Sequence, residues 1–253
     1  MKIIDAVPAS WKDLQNKVGR ILEECGFVVE VEYSMTAVRG KIEVDVYARE
    51  TIDSREYLIA CECKHWKDNI PRAIIQSFKT DVAELGCNKG YIITTSKFQS
   101  GAISAAEKTN VELITWEKFQ EIFFESWYAK YFSVEIRKIM PFNLNYNWID
   151  WFDDLDKEDK QQYGIMKNKL GDIDDIISNF PMGVMKELNM KFYEIPELPL
   201  LGNRIDPEEY AGEVPTDILE IRSYREFLDK FTEYAKPFVV EFQKLEEKYQ
   251  SSK

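Results

Sequence analysis

The chain has 253 residues, of which 45% are hydrophobic and 13% aromatic, enough for a packed core and too many for a wholly disordered chain. No uninterrupted apolar segment approaches the roughly 20 residues needed to span a bilayer. The first ten residues show no basic stretch followed by an apolar run, so no secretory signal is expected. We therefore expect a cytoplasmic protein with no membrane partner.

The acidic residues are unevenly distributed. The formal net charge is −12, which opposes binding to nucleic acid. Residues 1–140 hold 19 Lys and Arg against 21 Asp and Glu, whereas residues 141–253 hold 14 against 24. The first part is thus nearly neutral, and its charge permits DNA binding without indicating it.

The four cysteines do not form a C-x-x-C pair, and His65 is the only histidine. A zinc site would need ligands that this sequence lacks. Cys61 and Cys63 lie in an apolar strand pattern, where free cysteine behaves as a small buried hydrophobic residue. Reduced thiols are expected.

The first predicted elements are a helix and three strands. Apolar residues recur at helical spacing from Ser10 to Cys25, with Ser10 as the N-cap and Gly26 after the end. Apolar and polar residues then alternate in three segments, which predicts an antiparallel three-stranded meander. These segments are residues 27–33, 42–48 and 57–64.

The period then changes to helices alternating with short strands. The pattern predicts helices over 73–85, 100–108 and 117–132, and strands over 90–95 and 111–116. The predicted order is αβββαβαβα, an α/β fold with a mixed sheet flanked by helices. Residues 141–253 are predicted to form a separate, acidic and mainly helical region that ends in one long amphipathic helix over 217–249.

Two of the predicted strands carry polar residues that interrupt an apolar pattern. Alternation places Glu43 and Asp45 on one face of the second strand, and Glu62 and Lys64 on one face of the third. Two carboxylates beside a lysine suit Mg²⁺ or Mn²⁺, with the Cys63 backbone carbonyl as a further oxygen ligand. Such a metal acidifies a bound water, and Lys64 would stabilise the attacking hydroxide or the transition state. The alternative from spacing alone is an ordinary Glu62–Lys64 ion pair on a solvated face.

Five ordered segments resemble the catalytic domain of the Mrr-like restriction endonucleases, in the PD-(D/E)xK nuclease superfamily. The resemblance covers roughly the first half of the chain. It implies a restriction-endonuclease-like αβββαβ core over residues 1–140, with Asp45, Glu62 and Lys64 as the motif residues and Gln76 pointing into the site. The segments are LQNKVGRILEECGF, RGKIEVDV with Asp45, ACECK with Glu62 and Lys64, the helix containing Ile75–Phe78, and GYIITTSKF.

One departure from the family concerns the first helix, where many relatives have a glutamate and this chain has Gln15. Glutamine offers a carbonyl oxygen but no charge, which favours a one-metal mechanism. Glu43 either partly substitutes or faces solvent, and His65 is a candidate general base. Flanking basic residues are candidates for phosphate contacts or ordinary surface charges: Arg39, Lys41, Lys67 and Arg72.

The resemblance implies a Mg²⁺-dependent DNA endonuclease in restriction or another defence against foreign DNA. Two alternatives stay open: a non-catalytic DNA-binding or interaction protein on a nuclease fold, and a nuclease that acts on RNA. Residues 141–253 are too acidic to favour DNA binding, so we expect them to mediate oligomerisation, contact a partner protein or regulate the nuclease. Cutting both strands needs two active sites, which favours a homodimer.

Overall fold

The computed structural model describes residues 1–37, 40–140, 144, 146–147, 149–187, 190 and 193–250. Two compact units are present: Ala6–Lys130, and Met1–Asp5 together with Tyr131–Lys253. The division at residues 140 and 141 stays a prediction, and Pro141 itself lies outside the described residues.

The unit Ala6–Lys130 is built from a sheet and flanking helices. The three antiparallel strands are followed by two helix–strand repeats, so the predicted order of elements is confirmed. The elements are α1 (Trp11–Glu24), β1 (Val28–Ala37), β2 (Gly40–Ile52), β3 (Arg55–Lys64), α2 (Arg72–Glu84), β4 (Lys89–Thr94), α3 (Ser100–Ala106), β5 (Val111–Thr115) and α4 (Trp116–Trp127).

The sheet has the spatial order β1-β2-β3-β4-β5. The pairs β1–β2 and β2–β3 are antiparallel, whereas β3–β4 and β4–β5 are parallel. A parallel connection needs a crossover, and α2 and α3 supply the two that this sheet requires. The mixed α/β fold with an αβββαβ core is therefore confirmed, and it places β3 in the middle of the sheet.

Both ends of α1 are stabilised by the predicted residues. The Ser10 hydroxyl accepts a hydrogen bond of 3.1 Å from the backbone N–H of Asp13, as an N-cap does. Gly26 has a φ of +90°, a conformation that favours glycine, and it directs the chain back towards β1. The N–H of Phe27 donates to the Leu22 carbonyl at 3.1 Å. These local bonds satisfy backbone groups that the helix ends would otherwise leave unpaired.

The β2–β3 hairpin is tighter than predicted. Its strands continue to Ile52 and Arg55, and the two residues between them, Asp53 and Ser54, have φ values of 50° and 63°. Positive φ at both central positions is the geometry of a type I′ turn, which matches the twist of the flanking strands. The turn fixes the register of β2 against β3 and therefore the positions of the polar residues that they carry.

The second unit is helical, with elements α5 (Ser133–Ile139), α6 (Lys157–Ser178), α7 (Gly183–Glu187), α8 (Thr216–Leu219) and α9 (Tyr224–Gln250), and a π-helix over Tyr128–Phe132 leads into it. The single helix predicted over 217–249 is wrong at its start. Residues 216–219 form the separate helix α8, and α9 begins at Tyr224 because its first N–H groups donate to the carbonyls of Lys2 and Ile3. No helix of the described ranges is long and apolar enough to cross a membrane.

Candidate active site

Asp45 and Glu62 face each other across two neighbouring strands. Val46 of β2 and Cys61 of β3 are the last pair of the antiparallel ladder, and Asp45 and Glu62 are the residues next to this pair on the two strands. Both side chains are half-buried, whereas the residues that alternate with them are buried in the core. The two carboxylates are therefore held side by side in partly desolvated surroundings.

Three residues hold Asp45 in place. The backbone N–H of Cys63 donates a hydrogen bond of 2.6 Å to Asp45 Oδ2. Gln15 lies fully buried on α1, and its Nε2 donates to the Asp45 backbone carbonyl at 2.9 Å. Trp11 Nε1 lies 3.5 Å from the same Oδ2. Helix α1 and strand β3 thus orient Asp45 together.

Lys64 forms an ion pair with Glu62, and their side chains are only 15% and 20% exposed. Two hydrogen bonds join the end of β3 to the end of β4. The Lys64 backbone carbonyl accepts them from the Thr94 hydroxyl at 2.9 Å and the Thr95 N–H at 3.3 Å. Half-burial of an ion pair strengthens its electrostatic field relative to one in water. The pair is therefore not the solvated surface pair that spacing alone leaves open.

The electrostatics of the site disfavour two negative charges. Burial raises the pKa of Glu62 most, the charge of Asp45 raises it further, and Lys64 lowers it in part. Burial likewise raises the pKa of Asp45, while the Cys63 N–H, Lys64 and Trp11 oppose that rise. Added positive charge would stabilise both carboxylates in their ionised form.

The carboxylates open into a cleft of about 420 Å³, whose lining consists of Trp11, Glu32, Glu43, Val44, Asp45 and Glu62. Sequence reasoning missed Glu32 and Trp11. Glu32 lies on β1 opposite Asp45, between the pairs Val31–Val46 and Tyr33–Val44, and its φ is 59°. The predicted meander already places β1 beside β2, but alternation could not give the register that sets Glu32 opposite Asp45.

The other predicted residues are placed differently. Glu43 is exposed at the cleft and pairs with Lys41, so it both lines the cleft and faces solvent. His65 Nε2 hydrogen-bonds to the Pro8 backbone carbonyl at 3.0 Å, which occupies that nitrogen. Gln76 is exposed on α2 and is not part of the cleft lining. After burial and the charge of Asp45, the charge of Asp81 on α2 is a smaller cause of the raised pKa of Glu62.

Of the predicted phosphate contacts, Arg39 lies outside the described residues, and Lys67 and Arg72 are exposed. The four cysteines are free and buried. Burial raises the pKa of Cys25 to about 12 and that of Cys87 to about 11, so neither thiol is a nucleophile near neutral pH.

No group of three or more His, Cys, Asp or Glu side chains is arranged to hold a metal in the described ranges. The carboxylates that line the cleft are those of Asp45, Glu62, Glu32 and Glu43. The buried Gln15 Oε1 has no hydrogen-bond partner among the described residues. Oxygen donors of this kind suit a hard divalent cation.

A half-buried aspartate and glutamate on adjacent strands of an αβββαβ core, with a lysine two residues after the glutamate, is the arrangement that the resemblance to PD-(D/E)xK nucleases implies. Residues 7–123 match the family model Mrr_cat, described as "Restriction endonuclease", so this segment is similar to the Mrr-like catalytic domains. The family resemblance found in the sequence is confirmed.

No curated protein matches this chain. Among solved structures, the chain is similar to the crystal structure of a protein of unknown function, AF1548. The two are 15% identical with a TM-score of 0.35, and the match covers 93% of this chain and 98% of that one.

Proposed function

We propose that this protein is a metal-dependent endonuclease that hydrolyses phosphodiester bonds in DNA, in restriction or another defence against foreign DNA. The observation that carries the proposal is the half-buried pair Asp45 and Glu62 beside Lys64, inside the segment that matches the Mrr_cat model. The family description supports the reaction class, and the chemistry of the site supports the assignment of residues.

Asp45, Glu62 and the Cys63 backbone carbonyl would hold a divalent cation, Mg²⁺ or Mn²⁺. Two features favour this fit: the two carboxylates raise each other's free energy when ionised, and the buried Gln15 Oε1 lacks a partner in the described part of the chain. A cation of this kind would relieve the repulsion between the carboxylates. Because Mg²⁺ keeps several of its waters, few protein ligands are sufficient.

A bound divalent cation supplies an acidified water and neutralises charge on the phosphate. Lys64 contributes a fixed positive charge beside the carboxylates, in surroundings where partial burial strengthens its effect on a developing negative charge. Asp45 is held in one orientation by the Cys63 N–H and by Gln15, so it needs little reorganisation when substrate arrives. Gln76 stays a prediction for positioning water or phosphate.

The acidic C-terminal region, residues 141–253, is proposed to mediate oligomerisation, contact a partner protein or regulate the nuclease. Its charge opposes a direct DNA contact. A homodimer would bring the two active sites that a double-strand cut requires.

Cleavage of supercoiled plasmid with Mg²⁺ or Mn²⁺ tests the proposal. The wild-type protein should nick and linearise the plasmid, and the Lys64→Ala variant should do neither. Lys89→Ala is the matched control, since Lys89 is a half-buried lysine in an ion pair with Glu112, at the far end of β4 from Thr94. It should cut as the wild type does.

Two results contradict the proposal. Cleavage that survives Lys64→Ala would show that the site lies elsewhere, and a protein that neither binds metal nor cuts DNA would be the non-catalytic alternative. Cleavage restricted to RNA would retain the site and change the substrate.

A further inference from the structure

Two tryptophans are exposed on the unit Ala6–Lys130. Trp11 and Trp66 are 43% and 42% exposed. The other described tryptophans are all buried, and they are Trp116, Trp127 and Trp151. Exposed aromatic surface of this kind suits a ligand that offers a flat apolar face.

Both exposed tryptophans adjoin residues of the proposed active site. Trp11 is the first residue of α1, lines the cleft, and places Nε1 3.5 Å from Asp45 Oδ2. Trp66 lies two residues after Lys64, and its ring centroid is 5.8 Å from Lys64 Nζ. One indole therefore stands next to the metal-binding aspartate and the other next to the lysine.

A hydrogen bond joins the two segments that carry these tryptophans. His65, which precedes Trp66, bonds through Nε2 to the Pro8 carbonyl at 3.0 Å, three residues before Trp11. The bond restricts the loop after β3 relative to the start of α1. Two tryptophans restrained in this way lose little conformational freedom when a ligand binds.

Three lysines near the cleft are paired with carboxylates. Lys12 pairs with Glu32 at 2.7 Å, Lys41 pairs with Glu43, and Lys64 pairs with Glu62. Each partner carboxylate offsets the attraction of its lysine to a phosphate, so another kind of contact would add affinity here. Stacking of bases on aromatic side chains is the corresponding source in proteins that bind single strands.

We propose that Trp11 and Trp66 are stacking platforms for unpaired nucleobases next to the scissile phosphate, and that the site accepts a single-stranded segment of nucleic acid. The bases of an intact duplex are stacked on each other, so their faces are not available to the indoles. The proposal rests on the proposed nuclease function, because it names the substrate class of the same site.

Binding of fluorescent oligonucleotides to the full chain tests this inference, with Lys64→Ala in every protein to prevent cleavage and Mg²⁺ present. Single-stranded DNA should bind more tightly than a duplex of the same sequence. Trp11→Ala and Trp66→Ala should each weaken single-strand binding by roughly 10-fold, within the range known for base stacking. Trp11→Phe and Trp66→Phe should restore most of it, since a phenyl ring also stacks.

Tyr57→Ala is the matched control, because Tyr57 is 40% exposed on β3 but lies seven residues before Lys64. It should leave binding unchanged. Binding of an RNA strand of the same sequence is measured in parallel. The strand that binds more tightly, DNA or RNA, identifies the preferred nucleic acid.

Equal affinity for single strand and duplex would overturn the proposal, as would unchanged single-strand affinity in both alanine variants. Because the tryptophans are exposed, the variants should fold, and thermal unfolding checks this directly. Failure of the proposed nuclease function is distinguishable: the wild type with Mg²⁺ then cuts neither plasmid nor the single-stranded oligonucleotide, whereas strand preference is measured from binding alone.

Discussion

The backbone N–H of Cys63 donates a hydrogen bond of 2.6 Å to Oδ2 of Asp45, and so connects β3 directly to a carboxylate on β2. Hydrogen bonds to charged acceptors are stronger than neutral ones. The bond therefore stabilises the ionised form of Asp45 against the burial that raises its pKa. It also holds this carboxylate beside Glu62, where the repulsion between them would favour the proposed cation.

Glu62→Gln should remove the stabilisation by metal. Thermal unfolding of the wild type should shift to higher temperature when Mg²⁺ is added, because the metal binds the folded state. The variant should show no such shift, and its cleavage rate should fall by about 100-fold or more. Without metal, the variant should unfold at a higher temperature than the wild type at neutral pH, since a buried charge next to Asp45 is gone.

Glu56→Gln is the control for that substitution. Glu56 lies on the same strand, six residues earlier, and is exposed beside Arg49. If Mg²⁺ still raises the unfolding temperature of Glu62→Gln, Glu62 is not a ligand of the metal.

The stability of the metal-free protein should depend on pH through Glu62. Its pKa in the folded state is raised above the ordinary value of 4.5. At pH values between 4.5 and the folded-state pKa, the folded state therefore binds more protons than the unfolded chain. The contribution of Glu62 to the free energy of unfolding therefore falls as pH rises through that window. Below it both states are protonated, and no difference remains.

Chemical denaturation in EDTA over a pH series measures this effect. The difference in unfolding free energy between Glu62→Gln and wild type should grow in favour of the variant as pH rises from about 4.5. A difference that stays constant with pH would contradict the raised pKa. Affinity for Mg²⁺ should rise over the same window, because protons and metal compete for the carboxylates.

Two substitutions of Gln15 test its role at the site, one through the stability of the fold and the other through metal binding. Gln15→Ala removes the hydrogen bond to the Asp45 carbonyl and should destabilise the fold by about 1–3 kcal/mol. Gln15→Glu adds a third carboxylate, which should lower stability without metal and tighten Mg²⁺ binding. Calorimetric titration with Mg²⁺ measures the affinity.

Gln120→Glu provides the comparison, since Gln120 is also a buried glutamine of the same unit but lies on α4. It should lower stability without any gain in affinity for Mg²⁺. If Gln120→Glu binds Mg²⁺ more tightly than the wild type, or if Gln15→Glu does not, Gln15 is not close to the metal site.

A glycine of β4 should be essential for packing. A Cβ at Gly90 would lie 2.6 Å from Val82 Cγ2 and 3.1 Å from Val111 Cγ2, so Gly90→Ala should destabilise the fold by about 1–3 kcal/mol. At Gly101 in α3 the nearest atom is 3.9 Å away, so Gly101→Ala should stabilise by about 0.5–1 kcal/mol. Equilibrium denaturation measures both, and similar effects of the two would contradict the packing argument.

The sequence alone determined the order of elements in the unit Ala6–Lys130 and predicted its candidate site residues. Strand alternation and helical periodicity follow from backbone geometry over a few residues, so Asp45, Glu62 and Lys64 could be placed on strands and on faces. The family resemblance was equally available, because its motifs are short and ordered along the chain. Helix α6 was not delimited, since charged residues are frequent between its buried positions.

Only the tertiary structure decided which groups meet. Glu32 stands opposite Asp45 because of the register in which β1 pairs with β2, and His65 bonds to Pro8 because the loop after β3 returns to the start of α1. Burial of Gln15 and exposure of Gln76 depend likewise on how α1 and α2 pack against the sheet. Contacts between residues distant in sequence result from the packing of whole elements, and local patterns carry no information about that packing.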